Sequence, residues 1–326
     1  MKDNFKREIN YLRISLTDRC NLRCIYCIPQ EGVPLKPHEE ILRLEEIIHL
    51  VKVAADVGIS KVRLTGGEPL IRKGIVNLVR VLSKIPGIDD LAMTTNGILF
   101  PRFGPELKEA GLTRVNLSLD TLKPERFREI TRGGDWEQAW KGVETALELG
   151  LAPVKLNAVI MRGTNDDEIM DFVELTYKYP LHIRFIEYMP IGEHSGWEER
   201  KLVTQQEMLG QIEKQYRVQP VMGIRGMGPA KYYNLEGSRG SLGFISPLSS
   251  CFCAYCNRLR LTADGRLRPC LHSTQELNLR DCLRSGASNQ ELAELFQTAI
   301  KGKPERHTMN EEGWKGRARF MQQIGG

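Results

Sequence analysis

The sequence predicts an α/β chain, an open and partial barrel of six β/α units followed by a smaller α+β region. Two observations carry this. Up to about residue 200, short β-rich runs alternate with amphipathic stretches, the pattern of parallel strands joined by helical crossovers. The alternation then stops, whereas a closed eight-fold barrel takes about 250 residues and two further units. Residues 1–200 are therefore expected to form the barrel and 201–326 the C-terminal region.

In order, strands are expected at 12–16, 61–65, 91–94, 114–119, 154–160 and 182–187. Leu44, Ile47, Ile48, Val51 and Ala54 recur at helical spacing and predict a helix over 42–57. Helices are also expected at 135–149 and 165–177, with Asp135 and Asn165 as N-caps. Beyond residue 200 the pattern gives a helix at 204–216 and short strands at 231–235 and 241–245. Strands at 259–262 and 267–270 flank Ala263-Asp264-Gly265-Arg266, and Asp-Gly signals a tight hairpin. Helices at 277–284 and 289–300 precede an irregular tail.

A hydrophobic content of 41% suffices for a core, and the net charge of +5 suits an anionic substrate without selecting one. No apolar run approaches the roughly 18–20 residues of a membrane span, and the first residues lack the apolar centre of a signal peptide. The eight cysteines fall in two tight groups plus Cys270 and Cys282, which is a metal pattern and not a disulfide framework. A reducing, cytoplasmic compartment is expected, where thiolates stay available for iron.

Cys20, Cys24 and Cys27 are spaced C-x3-C-x2-C. Three thiolates can hold three irons of a [4Fe–4S] cluster and leave the fourth iron for another ligand; structural zinc, which takes four ligands in spaced pairs, fits this poorly. Thr65-Gly66-Gly67-Glu68-Pro69 follows the second strand, where barrel loops line active sites. Cys253, Cys256 and Cys270 give a second three-thiol set, C-x2-C-x13-C. Spacing alone leaves open a zinc site completed by Cys251, Cys282 or His272, and Cys251-Phe252-Cys253 leaves the ligands undecided by counting. Arg258 and Arg260 alternate along a strand and share one face; their planar forks match phosphate oxygens. Lys155, in an apolar run, needs an anionic partner if buried. The terminal Gly325-Gly326 makes a thin strand able to enter a narrow pocket.

The first cysteine motif with its aromatic Tyr26 resembles the radical S-adenosylmethionine (SAM) superfamily. Both three-cysteine sets, the Asn257-to-Leu271 run and the terminal Gly-Gly together resemble the GTP 3′,8-cyclase family of molybdenum cofactor biosynthesis, over essentially the whole chain. The resemblance implies a partial (β/α)6 TIM-like barrel and two [4Fe–4S] clusters, on Cys20, Cys24, Cys27 and on Cys253, Cys256, Cys270. It implies SAM contacts at Tyr26, Gly66, Gly67, Glu68, Ser118 and Met189. GTP contacts follow at Arg13, Arg63, Thr94, Lys155, Arg258, Leu259 and Arg260, with Gly325 and Gly326 reaching the reaction centre. Cys251 departs from the family pattern and is taken as a spectator. The implied reaction converts GTP to (8S)-3′,8-cyclo-7,8-dihydroguanosine triphosphate. The implied partners are a flavodoxin or ferredoxin donor, hand-off to cyclic pyranopterin monophosphate synthase, and a second copy in a homodimer. A peptide-modifying radical SAM maturase with an auxiliary cluster is the alternative. No nucleic-acid partner is expected, because the basic tail carries few aromatics and no RNA-module signature; no membrane partner is expected either.

Overall fold

The computed structural model describes residues 1–192, 198–221, 228–309 and 319–325. Its first part runs β1 (Tyr11–Ser15), α1 (Leu44–Asp56), β2 (Lys61–Thr65), α2 (Ile75–Leu82), β3 (Asp90–Thr95), α3 (Phe100–Glu109) and β4 (Arg114–Ser118). It continues with α4 (Pro124–Thr131), α5 (Trp136–Glu148), β5 (Lys155–Ile160), α6 (Ile169–Lys178) and β6 (His182–Glu187). The C-terminal part comprises α7 (Gln205–Ile212), β7 (Val218–Val221), β8 (Lys231–Leu235), β9 (Ser241–Ile245), β10 (Arg258–Leu261) and β11 (Arg266–Arg268). β12 (Leu277–Asn278), α8 (Leu279–Arg284), α9 (Asn289–Lys301) and α10 (Met321–Ile324) complete it.

Local chemistry explains most boundaries. Asp135 caps α5 by accepting from Gln138 N, and Thr204 and Ser288 start α7 and α9 as capping boxes. Asn165 is a correction: it starts no α-helix, and a 3-10 turn at Asp166–Glu168 intervenes before α6. Its amide is used elsewhere, donating to the Asp120 and Val159 carbonyls while its oxygen accepts from Met161 N. α3 contains Pro101, Gly104 and Pro105, which mask its helical signal in the sequence. β7 and β12 are too short for a strand pattern to register.

The strands form one sheet in the order β12-β11-β10-β1-β2-β3-β4-β5-β6-β9-β8-β7. β1 to β6 are parallel neighbours, each crossing over through helix. β10 adds in parallel beside β1, and β9 beside β6, so strands from after residue 200 extend both edges of the six-stranded unit. The Asp264-Gly265 turn joins β10 to β11 as an antiparallel hairpin, as expected. Leu64, Met93, Val115, Leu117 and Leu156 pack in the core with Leu50, Leu78, Phe100 and Phe172 of the crossover helices. The opposite set of strand positions is polar and forms the site. No helix among the described residues is long and apolar enough to cross a membrane.

Candidate active site

Strand register builds this site. Arg13 of β1 is opposite Arg260 of β10 on one side and Arg63 of β2 on the other. One step earlier, Tyr11 is opposite Arg258 and Lys61. Further round, Thr94 aligns with Asn116 and Asn116 with Lys155, while Ser118 aligns with Asn157 and Asn157 with Arg184. Because strand side chains alternate, these residues face one cavity, which Tyr26 and Met189 also line.

The cavity carries an excess of buried cation. Arg63, Lys155, Arg184 and Arg260 are all buried. Arg63 bonds the Tyr11 hydroxyl and donates to Thr94 Oγ1 at 3.3 Å. Burial, then the charges of Arg184, Arg114 and Arg63, brings Lys155 down to about 6. Burial and the neighbouring Arg258 bring Arg260 down to about 9. Arg114 is neutralised by its ion pair with Asp90, but the others crowd like charges together, an arrangement that an anionic ligand relieves.

The first thiol loop borders this cavity through Tyr26, while its three cysteines lie outside the lining. Cys20, Cys24 and Cys27 are half-buried free thiols. Burial first, and lesser neighbouring charges next, push Cys20 up to about 11 and Cys27 to about 12, and raise Cys24 as well. Such thiols ionise when a cation takes their charge, and the amide of Leu22, 3.4 Å from Cys20 Sγ, supports that sulfur. The donor set thus fits a cluster. The loop is zipped to the glycine turn through Gly67 N to Thr17 O (2.7 Å) and Glu68 N to Arg19 O (2.8 Å). The Glu68 carboxylate is buried and accepts from Thr95 Oγ1, Asn96 N and Leu70 N, so its hydrogen bonds shape the turn. Gly66, Gly67 and Glu68 sit beside the thiol loop and outside the cavity lining. Tyr26 donates to Asp120 (2.7 Å).

Cys253, Cys256 and Cys270 line the same cavity beside Arg258 and Arg260. Against the desolvation of burial, the charges of Arg258 and Lys303 bring Cys256 down to about 6, a thiolate at neutral pH. Arg7, paired with Asp3 at 2.6 Å, donates to the carbonyls of Cys253, Pro304 and Glu305 and fixes this loop. Cys282 packs against the core from α8. Leu259 is a correction: it is fully buried in the apolar core, on the face opposite Arg258 and Arg260, because strand alternation turns it away.

The described end of the tail, residues 319–325, reaches the same cavity. Arg319 pairs with Asp264 (2.9 Å) and Glu276 (2.7 Å), Met321 lines the cavity, and the Gln322 amide donates to the Cys27 thiol. The Gly325 carbonyl accepts from Arg260 at 2.6 Å. Gly325 has φ +71°, and a Cβ there would lie 2.5 Å from Thr65 Oγ1. Gly326 lies outside the described residues, as do Lys315 and Arg317 of the basic tail.

Sequence reasoning missed Lys61, Asn116, Asp120, Asn157 and Arg184. The signal that singled out Lys155 finds Arg184 as well, a charge between Ile183 and Phe185 on an apolar strand.

A parallel half-barrel with a three-thiol loop at its mouth defines a radical SAM enzyme. The Radical SAM superfamily model matches residues 14–176, and the model described as Molybdenum Cofactor Synthesis C matches residues 181–309. A GTP 3′,8-cyclase of Heliobacterium modesticaldum is 56% identical over 100% of both chains, and one of Syntrophomonas wolfei is 54% identical over 100% of both. Streptococcus suis SuiB bound to S-adenosylmethionine shares the fold, with a TM-score of 0.60, 16% identity and coverage of 93% of this chain and 77% of that one. The chain belongs to the GTP 3′,8-cyclase family. It is a radical SAM enzyme that uses a [4Fe–4S] cluster and SAM, takes GTP as substrate, and acts at the first step of molybdenum cofactor biosynthesis.

Proposed function

We propose that residues 1–200 generate the radical and that both parts hold the substrate, so that GTP lies in the shared cavity with its triphosphate on Arg13, Arg63, Lys155 and Arg184 of the first part and Arg258 and Arg260 of the second. Cys20, Cys24 and Cys27 would hold the first cluster, with Tyr26, Gly66, Gly67, Glu68, Ser118 and Met189 around SAM. When bound, that cluster supplies one electron to SAM, which yields methionine and the 5′-deoxyadenosyl radical. The ribose would then lose its 3′ hydrogen, C3′ would bond to guanine C8, and one electron from the proposed flavodoxin or ferredoxin donor with one proton would complete (8S)-3′,8-cyclo-7,8-dihydroguanosine triphosphate. Thr94 steadies Arg63 from β3. Cys253, Cys256 and Cys270 would hold a second [4Fe–4S] cluster beside the guanine, and Gly325 with Gly326 would close the site.

A single observation carries this reading: the row of buried cations lies in one cavity that the second thiol set lines and that Tyr26 of the first thiol loop borders. A flavodoxin or ferredoxin is the proposed electron donor, the enzyme is proposed to act as a cytoplasmic homodimer, and the product is proposed to pass to cyclic pyranopterin monophosphate synthase. The test is anaerobic reconstitution with iron and sulfide, then SAM, GTP and dithionite. About eight irons, 5′-deoxyadenosine formed only with GTP, and a cyclised GTP are expected. SAM cleavage indifferent to GTP would overturn the GTP site.

A further inference from the structure

Cys251, absent from the family's three-cysteine pattern, lies in a second arrangement of ligands. One ligand atom each from Cys251, Cys253 and His307 falls within 4.8 Å of the others. A single tetrahedral ion with bonds of about 2.0–2.3 Å holds its ligand atoms about 3.3–3.8 Å apart, so this group is close to the spacing of a one-ion site.

Groups around these atoms support ligation. The Cys253 amide lies 3.4 Å from Cys251 Sγ and donates to it. The backbone amide of His307 donates to Cys253. Amides aimed at sulfur stabilise thiolates. His307 Nε2 lies 2.7 Å from the Pro247 carbonyl, which only accepts, so Nε2 carries the hydrogen and Nδ1 the lone pair. Met309 N donates to Nδ1 at 3.3 Å, which agrees with that tautomer and is a bond that an ion on Nδ1 replaces. A carbonyl fixing the far nitrogen of an imidazole is the usual outer support of a metal-binding histidine. Cys251 is exposed, so an ion can arrive from solvent.

We propose that Cys251, Cys253 and His307 form a mononuclear site for a thiophilic divalent cation, such as zinc, in the chain that has not received its second cluster. Two thiolates and one imidazole suit such an ion, and a water can complete the tetrahedron. Cys253 is shared with the proposed second cluster, so ion and cluster exclude one another, and an ion held here delays cluster insertion. This last consequence rests on the second-cluster reading; the ion site itself does not.

The test uses the full chain purified without iron, with Cys20→Ser, Cys24→Ser and Cys27→Ser to silence the first loop. Cobalt(II) is titrated anaerobically and followed by its thiolate charge-transfer and tetrahedral d–d bands. One cobalt is expected, its affinity about tenfold or more lower in Cys251→Ser and His307→Ala and unchanged in Cys256→Ser. Equal affinity with and without Cys251, or an equal loss in Cys256→Ser, overturns the site. Iron reconstitution of Cys251→Ser in the otherwise native chain separates the two readings. It is expected to take up as much iron as the native chain. A loss of about four irons would make Cys251 a cluster ligand and overturn the mononuclear site. If the native chain itself takes only about four irons while the cobalt result holds, the second cluster fails and this site stands.

Discussion

Alanine at Gly67 is expected to damage the first thiol loop more than any change of comparable size. A methyl there would lie 2.5 Å from the Arg19 carbonyl carbon and 3.0 Å from the Cys20 nitrogen, and nearer still to the Arg19 oxygen. Ordinary contact begins near 3.4 Å, so the carbonyl carbon falls about 0.9 Å short. The obstacle is backbone, with no flexible side chain to swing away. Hydrogen bonds from Gly67 N to Thr17 and from Glu68 N to Arg19 hold both sides of the turn, so relief means lengthening them. Overpacking costs about 1–3 kcal/mol, and these bonds place Gly67→Ala near 3 kcal/mol. At about 2.1 cal/mol/K per residue over 326 residues, each kcal/mol is worth about 1.5 °C, so the thermal midpoint should fall by about 4–5 °C. Because Cys20 N is among the displaced atoms, iron on the first loop should fall too. Calorimetry with iron counting measures both. Gly210→Ala, in α7 with nothing within 4 Å of the added methyl, is the control and should gain roughly 0.5–1 kcal/mol. A Gly67→Ala chain with native midpoint and native iron would refute the reasoning.

Lys155, at about 6 in the cavity against an ordinary 10.5, makes the unfolded chain hold the extra proton between these values, so stability rises with pH across that window. Binding of a triphosphate should restore the proton; affinity should then weaken as pH climbs above about 6, with proton uptake visible by calorimetry in buffers of different ionisation enthalpy. Uptake persisting in Lys155→Met would assign it elsewhere. Arg184→Ala, at a fully buried cation, should raise the KM for GTP by about 30-fold or more, equivalent to about 2 kcal/mol or more; an unchanged KM would remove Arg184 from the site. Arg319→Ala, which leaves the buried Asp264 carboxylate without its cation, should cost about 1–3 kcal/mol in stability, expose the tail to limited proteolysis and slow product formation with iron content intact. Native protease resistance there would show that Asp264 and Glu276 do not latch the tail.

Residue type and spacing made the chemistry legible before any fold was known. C-x3-C-x2-C reports its iron chemistry locally, because metal ligation needs particular residues a few positions apart, whereas spacing left the second three-thiol set open between a cluster and zinc. Six alternating units likewise fixed the α/β class and the parallel strands. Asn157 and Lys61 escaped because each is ordinary within its own segment and becomes part of a site only through strand neighbours far away in sequence. Tertiary structure alone set the register that places Arg260, Arg13 and Arg63 in one row, and turned Leu259 into the core. It also carried Gly325 back to Arg260 and brought His307 to Cys251 and Cys253. Pairing between distant strands is decided by burial of whole faces, which no short window of sequence contains.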